Sequence, residues 1–188
     1  MNELTEGQKL QMAYRRLINP YSKHLQFAVT LTLKQTAKIK CNENLNYRKK
    51  LNDETLQSTI KRFTKLLTWA LFGNQSRHKN KRENSKPLII TVVEGRNTQK
   101  LLHLHLAIGN IPSNHLPNIK KIIERAWAKC DFANKQIEVA EIFNSQGWIG
   151  YITKQVGFTD NDVWDVCSST IPRFIEQSIC TESRLLVI

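Results

Sequence analysis

Two segments of the chain alternate between apolar and polar residues, and this alternation restricts the fold more than any other feature. Successive side chains of a β-strand point to opposite faces, so a period of two predicts a strand with one packed face. The first segment, Phe27 to Lys34, carries Phe27, Val29, Leu31 and Leu33 on one face and Thr30, Thr32 and Lys34 on the other. The second, Leu101 to Gly109, carries Leu102, Leu104, Leu106 and Ile108 opposite His103 and His105. We therefore expect a sheet that packs one face and can bind a ligand with the other.

The remaining periodic segments indicate an α+β fold. A strand over Leu88 to Glu94 forms a hairpin with the second alternating segment, through the turn Gly95-Arg96-Asn97-Thr98. The other predicted elements are a helix that begins at Asn52-Asp53-Glu54 and ends at Gly73, a helix from Ser113 or Asn114 to Trp127, a strand over Ile137 to Phe143, and a helix over Gly147 to Val156. Their order, β-α-β-β-α-β-α, predicts an antiparallel sheet of about four to five strands with helices packed on one face, of ferredoxin-like or RRM-like character.

The 188 residues suit one domain with short additions at both ends. Residues 1–26 are predicted to be an N-terminal helical extension with a break at Asn19-Pro20, and residues 27–157 the domain itself. Residues 158–188 form a C-terminal helical segment that packs on the domain or extends it, with helices near Asn161 to Cys167 and after Pro172. The segment Gln35 to Leu51 is interpreted as a polar connection.

The charge of the chain indicates a polyanionic partner. Lys and Arg total 28 against 16 Asp and Glu, a net charge of +12. No amphipathic basic helix, lipidation motif or long apolar run favours a membrane, so nucleic acid is the better partner. We expect a cytoplasmic protein, or a nuclear one in a eukaryotic host, because no secretory signal is recognisable. The candidate DNA-binding residues are Thr30, Thr32, Lys34, Arg48, Lys49, Lys50, Lys79, Lys81 and Arg82. The alternative for the basic runs is solvated loops.

Glu94, His103 and His105 form a candidate metal site. His103 and His105 share the open face of their strand, and Glu94 ends the neighbouring strand of the hairpin. Two imidazoles and one carboxylate leave coordination positions free, which suits Mg²⁺ or Mn²⁺ that also holds a phosphate oxygen. The alternative for the histidines is that both are hydrogen-bonded on a solvated sheet face without a metal. The alternative for Glu94 is that it is an ordinary turn residue.

Tyr151 and Lys154 form a candidate nucleophile and its cation. They lie three residues apart, off the apolar stripe of the third helix formed by Trp148, Ile149, Ile152 and Val156. A phenol attacks phosphorus as the phenolate, and a nearby positive charge favours that form. The alternative is an amphipathic tyrosine beside a surface lysine.

These motifs together resemble the HUH endonucleases, especially the single-tyrosine replication initiators (Rep proteins) of rolling-circle plasmids and small circular single-stranded DNA viruses. Phe27-Ala28-Val29-Thr30-Leu31-Thr32 is similar to the first motif, His103-Leu104-His105 to the metal motif, and Tyr151-Ile152-Thr153-Lys154 to the YxxK motif. The resemblance implies nicking and rejoining of single-stranded DNA at a replication origin, which can form a hairpin, through a 5′-phosphotyrosine. Glu94, His103 and His105 would bind Mg²⁺ or Mn²⁺, Tyr151 would attack, Lys154 would assist, and no small-molecule cofactor is needed.

Some features of this family are missing from the sequence, and other functions remain possible. Position 147 is Gly and position 155 is Gln, so no second tyrosine lies four residues from Tyr151. The GxxxxGK[ST] loop of a fused helicase is also missing, so unwinding would need a helicase from the host. A transposase or a mobilisation relaxase would use the same motifs. A non-catalytic module that binds single-stranded nucleic acid is the alternative from another class, and it should place aromatic residues on the open sheet face.

Overall fold

The structure, a computed structural model, describes residues 3–42, 45–95, 101–154, 156–157 and 168–185. Its strands are β1 (Leu25–Leu33), β2 (Thr36–Asn42), β3 (Leu45–Lys50), β4 (Leu88–Glu94), β5 (His103–Gly109) and β6 (Ala133–Glu141). Its helices are α1 (Glu6–Ile18), α2 (Asp53–Phe72), α3 (Ile119–Trp127), α4 (Ser145–Ile152) and α5 (Arg173–Leu185), with short 3₁₀ segments at Asn19–His24, Gly73–Arg77 and Ser113–Asn118. Four strands form an antiparallel sheet in the order β4-β5-β1-β6, and β2 pairs with β3 in a separate hairpin.

The register of the central sheet places the polar side chains of three strands on one face. Along β1, buried and half-buried residues alternate without a break. Thr30 lies opposite His105 on β5, and Thr32 lies opposite His103. His103 is in turn paired with Glu94 on β4. The alternation seen in the sequence therefore survives in the fold, and the open face carries the candidate ligands.

Helices α2 and α3 cover the apolar face of the sheet. Asn52 and Thr55 form a capping box at the start of α2, and Gly73 ends the helix at φ 51, a conformation that favours glycine. The rings of Phe63 on α2 and Trp127 on α3 meet edge to face, with centroids 5.6 Å apart. Both side chains are fully buried in the main core, so this contact fixes the helix pair over β1 and β5.

The opposite face of the sheet is covered over β4 and β5. Ile18 from α1, Ile149 from α4 and Ile175 from α5 pack there in a second apolar cluster with Leu88, Ile90 and Ala107. Every residue of β4 is consequently buried. The outer strand β6 stays accessible on this face, where Glu138 and Ala140 are exposed. The candidate site lies on this same face, at the edge of the area that these helices cover.

The predicted α+β class and the four-stranded antiparallel sheet are confirmed, as is the helix from Asp53 to Gly73. The connection Gln35 to Leu51 is a hairpin, which the sequence analysis missed because only a few of its side chains, such as the buried Ala37, pack on the core. The third helix ends at Ile152 instead of Val156. The predicted helix near Asn161 to Cys167 lies outside the described residues. Within those residues, no helix has both the length and the hydropathy that a bilayer crossing requires.

Candidate metal centre and tyrosine site

Glu94, His103 and His105 meet on the open face of the β4–β5 hairpin, as the sequence predicts. Their ligand atoms all lie within 4.8 Å of one another. Glu94 Oε2 is 2.9 Å from His105 Nε2 and 3.6 Å from His103 Nε2. Three atoms bound to one ion at about 2.1 Å lie roughly 3–4 Å apart, and the two distances from Glu94 Oε2 are close to this range, so the group could hold a metal ion.

Each histidine is held through its Nδ1 atom, which leaves Nε2 directed at the carboxylate. His103 Nδ1 lies 2.9 Å from the Leu101 carbonyl oxygen. Because a carbonyl can only accept, Nδ1 of His103 donates, and Nε2 is the ring atom that a metal would bind. His105 Nδ1 lies 3.1 Å from Thr30 Oγ1. Thr30 therefore orients a candidate ligand, and the DNA contact expected of it stays a prediction.

Burial favours the metal-binding form of His105. Its side chain is almost inaccessible, and Glu94 is also buried. Burial lowers the pKa of His105 to about 4 because the charged ring loses hydration, an effect that exceeds the opposing attraction of Glu94. His105 is neutral at pH 7 as a result. The buried Glu94 carboxylate lies beside this ring, which favours an added cation, whereas the Lys154 ammonium 4.0 Å from Glu94 Oε2 opposes one.

Tyr151 lies directly beside this ligand group. It projects from α4 with 44% of its surface exposed. Its ring meets His105 edge to face at 5.5 Å between centroids. The Trp148 ring stacks on it at 5.1 Å with an interplanar angle of 18°, and Lys154 Nζ lies 3.9 Å from its centroid. The accessible phenol is thus fixed next to the candidate metal ligands and next to a cation.

Trp148 was predicted only as part of the packing stripe of the third helix. It is half-buried, and its ring both contacts the apolar clusters and stacks on Tyr151. The spacing of three residues between Trp148 and Tyr151 was the available signal, since such residues are neighbours on a helix surface.

Helix α1 holds the turn that carries Lys154. Gln11 Nε2 donates to the carbonyl oxygens of Thr153 at 2.9 Å and Lys154 at 3.3 Å, and Arg15 Nε donates to Thr153 Oγ1 at 3.1 Å. Thr153 Oγ1 also donates to the Ile149 carbonyl at 2.7 Å, inside α4. These bonds satisfy carbonyls that the end of α4 leaves without helical partners. The N-terminal helix is therefore built into the tyrosine site.

Two glycines allow α1 to approach this turn. A Cβ atom on Gly7 would lie 2.3 Å from the Gly157 carbonyl oxygen, and one on Gly157 would lie 2.3 Å from the Gly7 Cα. Such distances are shorter than any real Cβ contact, so only glycine fits at either position. Nothing in the local sequence pairs Gly7 with Gly157, and the analysis of the sequence missed this contact.

The other predicted DNA-binding residues lie in three separate places. Thr32 Oγ1 donates to the Gln136 carbonyl at 2.8 Å on the site face, and Lys34 is exposed just after β1. The other two groups are Arg48, Lys49 and Lys50 on β3, and the exposed loop residues Lys79, Lys81 and Arg82 before β4. Among the described residues, no hydrogen bond or ion pair joins these two groups to the metal ligands or Tyr151, and their role in DNA binding stays a prediction.

Comparison with known proteins assigns this chain to no family. No protein-family model, curated protein or solved structure matches it. The function is therefore argued from Glu94, His103, His105, Tyr151 and Lys154, and from the arrangement in which the fold holds them.

Proposed function

We propose that this protein is a metal-dependent endonuclease of the HUH type, which cuts single-stranded DNA and joins the new 5′ end to Tyr151. The observation that carries the proposal is the position of Tyr151, whose ring lies against His105 within a group of three metal-binding side chains. The motifs that hold these residues are separated by about fifty residues in the chain. Their meeting on one accessible face supports a shared reaction.

The donor set fits a hard divalent cation. Glu94, His103 and His105 would hold Mg²⁺ or Mn²⁺, and a phosphate oxygen would enter at His103, the least buried of the three side chains. When bound, the ion supplies positive charge that polarises the scissile phosphate. The first role of the protein is to orient the ligands, through the Nδ1 contacts of both histidines, and to keep His105 neutral, through its burial.

The proposed reaction is an in-line displacement at phosphorus. The bond between the Tyr151 oxygen and phosphorus forms while the bond from phosphorus to the 3′ oxygen breaks. The phenolic proton passes to solvent, and the leaving 3′ oxygen takes up a proton to give a 3′-hydroxyl. Lys154, close to both Tyr151 and Glu94, would stabilise negative charge at the phosphate. The reverse reaction rejoins the strand, so no nucleotide cofactor is required.

A non-catalytic module that binds single strands is the rival from another class. Such a module stacks bases on aromatic side chains of its open sheet face. The accessible positions of β1 and β6 on this face instead include Thr30, Thr32, Glu138 and Ala140. This composition favours the enzyme.

Initiation of rolling-circle replication is our preferred biological setting for the proposed enzyme. Transposition and plasmid mobilisation use the same chemistry.

The proposal is tested by a search for the covalent intermediate. The protein is incubated with Mn²⁺ and a pool of single-stranded oligonucleotides of random sequence, labelled at either end, and resolved under denaturing conditions. We expect 3′-labelled DNA to remain attached to the protein, and 5′-labelled DNA to appear as a shorter free fragment with a 3′-hydroxyl. Cleavage without an attached fragment, or an attached 5′-labelled fragment, would contradict the proposed polarity and nucleophile.

The basic loop before β4 should control DNA affinity more than chemistry. Changing Lys79, Lys81 and Arg82 together to Gln should weaken binding of single-stranded DNA, and each lost phosphate contact should lower the log–log salt slope by about 0.7. The rate of adduct formation at saturating DNA should change little. The matched control replaces the exposed Lys120, Lys121 and Lys129 by Gln, which removes the same charge elsewhere. Equal slopes for both triple variants would show that only net charge matters.

Gln11 should act as a positioning residue for the tyrosine site. Gln11→Met keeps the size of the side chain but removes the donor to the Thr153 and Lys154 carbonyls. We expect adduct formation at saturating DNA to slow about tenfold, because small misplacements of reacting groups are costly, while DNA affinity stays unchanged. Met12→Ala, at the exposed neighbouring position, is the control. A wild-type rate in Gln11→Met, at unchanged melting temperature, would remove this role.

A further inference from the structure

A second feature suited to nucleic acid lies around Trp69 on α2. The Trp69 side chain is 51% exposed, which is unusual for the largest aromatic residue. It lines a surface cavity of about 370 Å³, here named the Trp69 pocket, together with Lys65, Arg77, Arg82, Glu83 and Lys86. The pocket is large enough for a nucleobase with its sugar, and it is open to solvent.

The charge of the Trp69 pocket selects for anions. Four of its lining residues are cationic, and Glu83 is the one carboxylate among them. Glu83 is paired with Lys86 at 3.0 Å and with Arg82 at 3.2 Å. The excess of positive charge therefore remains. A smaller cavity beneath the β2–β3 hairpin differs in this respect, since Lys49 and Arg62 there are balanced by Glu54 and Asp131.

The ring of Trp69 is available for stacking. The Arg77 guanidinium carbon lies 6.0 Å from the ring centroid, the outer limit of a cation–π contact. An exposed aromatic ring surrounded by cations is the arrangement by which proteins hold single strands, with a base on the ring and phosphates on the cations. Bases in an intact duplex are stacked on each other and cannot use such a ring.

The Trp69 pocket is separate from the metal centre. It lies at the start of β4, where Thr170, another lining residue, pairs with Ile89. Glu94 lies at the other end of β4, about 20 Å from Leu88 at ~3.3 Å per residue. Helix α2 also covers the sheet face opposite to the metal ligands. One bound nucleotide cannot occupy both places.

We propose that the Trp69 pocket is a second binding site for single-stranded DNA, which stacks one base on Trp69 and holds the adjoining phosphates on Lys65, Arg77 and Arg82. The site would anchor a part of the strand remote from the cut, in addition to the segment at Tyr151. The choice of DNA over other single-stranded nucleic acids rests on the proposed function. The inference that the pocket binds a single strand rests on the exposed Trp69 ring and the cations around it.

Binding variants at Trp69 test this site. The probe is fluorescein-labelled decathymidylate, and its affinity is measured by anisotropy with EDTA present so that no cutting occurs. Trp69→Leu keeps an apolar side chain without a stacking ring and should weaken binding about tenfold. Trp69→Phe keeps a ring and should restore most of the affinity. Equal affinity of Trp69→Leu and wild type, or a Trp69→Phe variant as weak as Trp69→Leu, would overturn the proposal.

A photochemical probe locates the contact directly. Decathymidylate with one 5-iodouracil base is irradiated on the wild-type protein, and the cross-linked peptide is identified by mass spectrometry. We expect cross-links at Trp69, and competition by unlabelled decathymidylate but not by a duplex of equal length. Equal competition by the duplex, or no cross-link at Trp69, would overturn the site.

Failure of this inference is distinguishable from failure of the proposed function. Neither readout depends on cleavage. A protein that cross-links at Trp69 but never forms a covalent adduct would retain the Trp69 pocket and lose the proposed function. A protein that forms the adduct, but whose Trp69→Leu variant binds like wild type, would lose the Trp69 pocket alone.

Discussion

Replacing Tyr151 by Phe should abolish the covalent protein–DNA adduct and leave the fold intact. The change removes only the phenolic oxygen, which is the proposed nucleophile, so we expect a loss on the order of 10³-fold or more. The stacking on Trp148, the edge contact with His105 and the approach of Lys154 all involve the ring, which phenylalanine retains. Melting temperature and affinity for single-stranded DNA should therefore stay close to those of the wild type.

A second exposed tyrosine supplies the matched control. Tyr47 on β3 is 46% exposed, close to the exposure of Tyr151, and it belongs to the separate hairpin. Tyr47→Phe should form the adduct at the wild-type rate. An undiminished adduct in Tyr151→Phe would exclude Tyr151 as the nucleophile, and a mass-spectrometric map of the attached peptide would then locate the true one.

The part of the site that lies on strands could be predicted because strand geometry is local. A period of two puts His103 and His105 on one face, and a hairpin of antiparallel strands brings Glu94 opposite His103. Thr30 follows from the same alternation once β1 is paired with β5. The sequence was therefore sufficient for the candidate ligands, although their distances and burial required the fold.

The contacts around α1 could not be predicted, because they join residues far apart in the chain. Gln11 reaches a carbonyl 142 residues away, and Arg15 reaches a hydroxyl 138 residues away. Neither residue shows any local pattern, since the pairing follows from how α1 and α4 pack over β4. An N-terminal helix that looks like an appendage in the sequence is thus part of the site.

The sequence of β4 contained a signal that both faces of this strand are covered. The β4 sequence Leu-Ile-Ile-Thr-Val-Val lacks the alternation of β1, and a continuous apolar run is typical of a strand buried on both faces. That run predicts packing on both sides of β4. The structure provides it with Ile89 and Val93 in the main core, and Leu88 and Ile90 in the second apolar cluster.

The second large effect should come from removal of a metal ligand. His103→Ala and Glu94→Gln should each reduce metal-dependent cleavage at least 100-fold, while binding of single-stranded DNA in EDTA stays nearly unchanged. His103 is the more informative position, because its side chain is the least buried of the three candidate ligands and lies at the edge of the site. The exposed His78, in the basic loop, provides the control variant His78→Ala.

Thermal stability gives a readout of the same site that does not depend on catalysis. An ion that binds only the folded state stabilises it by about 2.7 kcal/mol at a concentration one hundred times its dissociation constant. Mn²⁺ should therefore raise the melting temperature of the wild type and of His78→Ala, but not that of His103→Ala or Glu94→Gln. Cleavage that persists in EDTA would exclude the metal from the reaction. A melting temperature that rises equally in all four proteins would place the bound Mn²⁺ elsewhere, because neither His103 nor Glu94 could then be a ligand that matters for affinity.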